Sequence, residues 1–105
     1  MSNNVLEKII KKKTEKIEKL KKTISSESLN DLIKANYSFS DFKEKIENNI
    51  KINKFSIIAE IKKASPSAGI IIKNYDPVEI ASTFNKNKAT CLSVLTEEDF
   101  FYGNL

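Results

Sequence analysis

The sequence predicts an α/β fold in which helices come first and a parallel βα-repeat follows. Three observations point to it. Up to about residue 54 the apolar residues recur at helical spacing. From Phe55 they gather instead into two short runs, Phe55 to Ile61 and Thr90 to Thr96, of the kind found in parallel strands covered on both faces. Between the runs, Asp76-Pro77-Val78-Glu79 is a strong helix start, with an acidic cap, proline at the first helical position and glutamate three residues on. The expected organisation is a helical extension over residues 1–54, then one βαβ unit and the start of the next loop over 55–105, with the first two strands only.

The first helix is expected from about Val5 to Ile24, where Leu6, Ile10, Ile17, Leu20 and Ile24 form a stripe interrupted only by Lys13. A second runs from Ser26 or Ser28 to Ala35, with Leu29, Leu32 and Ile33 apolar, and Asn36-Tyr37-Ser38 reads as a break. A third begins at Ser40 as N-cap, with Asp41 in its first turn and Phe42 and Ile46 facing inward, and ends at Asn48-Asn49. Residues 65–69 read as a Ser/Pro/Gly loop, and Ile70-Ile71-Ile72 as packing at its base. The fourth helix buries Ile80, Ala81 and Phe84 and stops in the polar stretch Asn85 to Lys88. Two strands joined through a helix form a βαβ unit, whose crossover is expected to be right-handed. Two parallel strands alone leave long apolar edges unpaired, so the chain reads as the N-terminal part of a larger βα-repeat domain.

Composition narrows the chemistry. The 105 residues include 18 basic ones, all lysine, and no histidine. Residues up to Lys22 hold eight lysines against Glu7, Glu15 and Glu18, whereas the remainder holds ten against eleven acids. The whole positive surplus therefore sits on the first helix. It is either a surface helix with solvated lysines or a basic helix for a membrane surface or nucleic acid. Neither arginine nor an aromatic residue interleaves those lysines, which favours the first reading. Without histidine, Ser-His and Cys-His nucleophiles and histidine metal sites are excluded. Cys91 is the single cysteine and lies in an apolar run, where a buried, inert thiol is expected. The N-terminus carries no secretory signal pattern and no apolar stretch nears the roughly 20 residues of a membrane span, so a cytoplasmic, soluble protein is expected.

One segment stands out. Glu60 and Lys62 lie two residues apart at the end of the first strand, so they share a side. Two charges in a doubly covered strand are costly unless they pair or act on something. A lysine there can hold a carboxylate or phosphate, or exchange a proton; a neighbouring glutamate can orient it, act as a base or stabilise a developing cation. The competing reading is a structural charge pair on a half-exposed strand. Ligands of parallel α/β folds bind beyond the carboxyl ends of the strands, where Glu60, Lys62, the Ser65 loop and the Phe100-Phe101 loop would gather.

The run Ile58-Ala59-Glu60-Ile61-Lys62-Lys63-Ala64-Ser65-Pro66-Ser67, then Asp76-Pro77, then Leu92-Ser93-Val94-Leu95-Thr96-Glu97-Glu98 with Phe101 and Gly103, resembles the indole-3-glycerol phosphate synthases of tryptophan biosynthesis. The match is specific over residues 55–105 and looser over the helical extension. It implies a (β/α)8 TIM barrel of about 250 residues, of which this chain carries the first part. It also implies a lyase that closes the pyrrole ring of 1-(2-carboxyphenylamino)-1-deoxyribulose 5-phosphate, releasing carbon dioxide and water without a cofactor. By the same resemblance Lys62 is the first-strand catalytic lysine and Glu60 the glutamate of its pocket. Ser65 contacts substrate, and Phe101 packs near the anthranilate ring. Ala68 stands where many relatives carry lysine, and Tyr102-Gly103-Asn104 varies the usual pattern; neither touches a residue given a role. A second lysine, a later glutamate and asparagine, and the phosphate-binding loops belong to strands this chain lacks. The implied partner is a phosphorylated small molecule, not nucleic acid or membrane, with fusion to or association with phosphoribosylanthranilate isomerase left open. Two alternatives remain: another phosphate-handling barrel enzyme of the same pathway, which the Glu-x-Lys-x-x-Ser-Pro-Ser motif disfavours, or a non-enzymatic module working through its basic helix.

Overall fold

The computed structural model describes residues 2–36 and 38–105. Tyr37, expected in the break after the second helix, lies outside them. The chain divides into two compact units, one through Ser40 and one from Asp41 to Leu105.

The first unit holds α1 (Ser2–Thr23) and α2 (Ser26–Ala35). Lys21 and Lys22 in the last turn of α1 complement the negative end of the helix dipole. The apolar stripe forms as expected, but Leu6, Ile10 and Leu20 all remain exposed. Ser25 caps α2, its Oγ accepting the Ser28 amide at 3.0 Å, which satisfies one of the orphan donors of the first turn.

In the second unit α3 (Phe42–Lys51) starts one residue later than its sequence suggests. Asp41, not Ser40, is the cap: its carboxylate accepts the Glu44 amide at 2.8 Å. The helix also runs past Asn48-Asn49. Asn49 instead donates its side-chain amide to Ser56 Oγ at 3.0 Å and to the Phe55 carbonyl, pinning the chain on its way into the sheet. The turn is made by Asn53 in the left-handed region (φ 53°), with its amide bonded to Ile50 O and that of Lys54 to Asn49 O, the paired bonds of a Schellman motif.

β1 (Ile58–Ile61) pairs in parallel with β4 (Cys91–Val94), Glu60 opposite Ser93 and Ile61 opposite Val94. The ladder is extended at both ends, by the Thr90 amide to Ile57 O and the Leu95 amide to Ile61 O, each at 3.0 Å. The strand is shorter than the apolar run and is not covered on both faces. Among the described residues only Ile61, Ala64 and Cys91 are buried, while Phe55, Ile57 and Ile58 are exposed. The burial expected for a doubly covered strand needs elements that these residues do not supply. Cys91 is buried as expected, its thiol 3.9 Å from the Phe42 carbonyl.

The segment read as a loop contains a small antiparallel hairpin, β2 (Ala64–Ser65) with β3 (Gly69–Ile70). Gly69 supplies the left-handed step (φ 66°) that closes it. The amides of Ile71 and Ile72 both reach back to Lys63 O, tying the isoleucine triplet to the base of the turn.

α4 (Pro77–Lys86) packs against β1 and starts as its sequence requires, with Asp76 as cap, its Oδ1 accepting the Glu79 amide at 3.0 Å, and Pro77 at the first position. It ends like α3, with Lys88 left-handed (φ 63°), its amide on Asn85 O and that of Ala89 on Phe84 O. Asp76→Ala in the full-length protein is expected to cost about 1 kcal/mol. Urea unfolding checks this as a lowered midpoint with an unchanged slope.

Candidate active site

Both parallel strands deliver their carboxyl ends to the same edge of the sheet, and the site residues named from sequence lie at the end of β1 and in the two segments that leave that edge. Glu60 is in β1, and Lys62 follows its last residue. Strand alternation puts the two side chains on one side, and Lys62 Nζ lies 2.9 Å from Glu60 Oε1. The pair is not buried as a doubly covered strand would have it. The Lys62 side chain is 35% exposed and that of Glu60 47%. At that exposure the pair contributes little to stability, about 0–1 kcal/mol. Its consequence is positional: a flexible four-carbon stem is held with its ammonium at a defined point, with hydrogens left over for an incoming acceptor.

Ser65 lies in the hairpin directly beyond Lys62, and its hydroxyl is committed to its own turn. Oγ accepts the Ala68 amide at 3.2 Å and lies 3.4 Å from Ser67 Oγ. Phe101 is half-buried in the loop that follows β4. The geometry thus joins Glu60 and Lys62 directly, and brings Ser65 and Phe101 to the same end of the sheet on separate loops.

A cavity of about 280 Å³ opens beside this edge, lined by Lys63, Tyr75, Leu95, Tyr102 and Asn104 among others. None of the four named site residues lines it. Among the described residues no cluster of three or more histidine, cysteine or acidic side chains comes together in metal-binding fashion. Nor is any helix among them long and apolar enough to cross a membrane.

One structural role was missed from sequence. Glu97, read only as part of a charged loop, accepts three consecutive backbone amides. Its Oε1 takes Asp99 at 3.0 Å, and its Oε2 takes Phe100 at 2.7 Å and Phe101 at 3.1 Å. The available signal was its offset. A carboxylate two to four residues ahead of a turn stands as an N-cap does to the first amides of a helix.

The family model for indole-3-glycerol phosphate synthase matches residues 6–105. An indole-3-glycerol phosphate synthase of Bordetella pertussis is 40% identical over 102 residues, covering 97% of this chain and 39% of that protein. One of Prochlorococcus marinus is 42% identical over 104 residues, covering 98% of this chain and 34% of that protein. The chain therefore spans between a third and two fifths of the length of the curated relatives it matches. With 40% identity over nearly its whole length and a match that takes in both strands, the Lys62 segment and the Phe101 loop, this chain belongs to the indole-3-glycerol phosphate synthase family.

Proposed function

We propose that this chain supplies the first part of the active site of an indole-3-glycerol phosphate synthase, a lyase of tryptophan biosynthesis acting in the cytoplasm. The substrate is 1-(2-carboxyphenylamino)-1-deoxyribulose 5-phosphate. The domain around the site is a (β/α)8 barrel, with β1 and β4 as its first two strands and residues 1–54 as a helical extension. The observation that carries the reading is the 2.9 Å Lys62–Glu60 pair, at the end of a parallel strand where such folds place their ligands.

Ring closure forms a carbon–carbon bond to the substrate's ketone carbon, so its oxygen gains negative charge and must take a proton. Lys62, paired with Glu60, donates it. The carboxyl group on the aromatic ring then leaves as carbon dioxide, its bonding electrons returning to the ring. The new hydroxyl takes a second proton and leaves as water, giving a cation that the Glu60 carboxylate favours and that loses a proton from the adjacent methylene carbon to complete the pyrrole. Ser65 contacts the substrate from the hairpin, and Phe101 supplies an apolar surface for the anthranilate ring. The second lysine, the later glutamate and asparagine, and the phosphate-binding loops come from strands outside these 105 residues.

The test is direct. The full-length protein, incubated with this substrate, is expected to form an indole product with one equivalent of carbon dioxide. Product absorbance and released gas measure it, and no turnover at saturating substrate would remove the reading.

A further inference from the structure

Residues 97–103 form a loop closed on itself from both ends. At its start the Glu97 carboxylate gathers the amides of Asp99, Phe100 and Phe101 at 2.7–3.1 Å. At its finish the Gly103 amide returns to the Glu97 carbonyl at 2.8 Å. The finish is sterically exacting. A Cβ on Gly103 would fall 2.2 Å from Leu95 O and 2.7 Å from both Thr96 C and Thr96 Cα, and backbone atoms at the end of a paired strand cannot give way. Phe101 is thus suspended between a three-pronged ionic hydrogen-bond anchor and a backbone contact that admits only glycine.

Successive amides converging on one point make a concavity of the kind that binds anions. Here the chain's own carboxylate fills it, so these amides are not open to a substrate phosphate. Bonds from amides to a charged acceptor are about twice as strong as neutral ones, and three of them fix the backbone of the residue whose ring is proposed to meet the substrate.

Resting on the synthase reading above, we propose that Glu97 is a positioning residue: it acts on the substrate's aromatic ring only through the backbone of Phe101. A misplaced ring contact weakens the bound ground state and the transition state alike, so the effect falls on KM rather than kcat. A shift of about 1 Å in a positioning group can cost up to roughly 100-fold.

The experiment uses the full-length protein with Glu97→Ala, Glu97→Gln and Phe101→Ala, singly and as the Glu97→Ala/Phe101→Ala pair. Kinetics are measured beside amide hydrogen exchange over residues 99–101. Glu97→Ala is expected to raise KM roughly 10-fold or more while kcat stays within about threefold, and to speed exchange at the three amides. Glu97→Gln keeps one acceptor oxygen without the charge, so it should fall between wild type and alanine on both readouts. The double variant should be no worse than Phe101→Ala, because the two residues act as one unit.

Additive losses in the double variant would overturn the proposal. So would Glu97→Gln matching Glu97→Ala in KM while exchange stays slow, since the charge would then be acting on substrate directly. Should Glu97→Ala fail to fold, Glu97→Gln with and without Phe101→Ala decides by the same criteria. A wild-type protein with no turnover would defeat the synthase reading instead, and slow exchange at 99–101 that Glu97→Gln accelerates would still establish the anchor.

Discussion

Lys62→Ala in the full-length protein is expected to lower kcat by roughly 10²- to 10⁴-fold, the range for removing a positioned proton donor. Steady-state kinetics with the ring-closure substrate measures it. The size follows from what the pair does. Because Lys62 is 35% exposed and its partner 47%, breaking the contact releases no buried charge, so the fold should survive with its unfolding midpoint almost unmoved. Stability and activity therefore separate cleanly at this position. Glu60→Gln should keep a hydrogen bond to the Nζ but lose the charge, giving a smaller loss. Unchanged kcat and KM in Lys62→Ala would remove the lysine from the mechanism.

A polypeptide restricted to these 105 residues is expected to show no turnover, to bind a hydrophobic dye and to unfold over a broad range. Far-ultraviolet circular dichroism, dye fluorescence and the activity assay check the three together. The reason lies on both faces of the β1–β4 pair. Ile58, on the Glu60 side, is 52% exposed, and Val94, opposite Ile61 in the register, is 48% exposed. Apolar strand surface left open in this way favours association over a unique packing. A two-stranded sheet is marginal without further covering. A sharp, cooperative transition with full activity would overturn this expectation and the proposal that the catalytic set extends beyond the chain.

What could be read from the residues alone was local. Asp76-Pro77 places a helix start because the capping carboxylate, the missing proline amide and the Glu79 amide all lie within one turn. The same holds for α2 and for the side shared by Glu60 and Lys62, which follows from the two-residue period of a strand. The missed end of α3 has a local cause: the stop is made by Asn53, left-handed, where a reader looks for glycine, whereas α4 stops in its polar stretch as expected. The chain has only two glycines, one closing the 64–70 hairpin and one held against Leu95 and Thr96 just beyond β4, so other residues take the strained position. That hairpin was hidden too, because two residues per strand are too few to show a period.

The order of the helices and the two parallel strands, the Asp76 cap and the candidate pair were thus encoded in neighbours along the chain, where spacing alone sets geometry. How exposed that pair is, where the apolar runs meet solvent, and how Glu97 gathers the amides ahead of Phe101 depended on groups brought together by folding. Burial and hydrogen-bond convergence are properties of three-dimensional neighbours, and no one-dimensional spacing carries them.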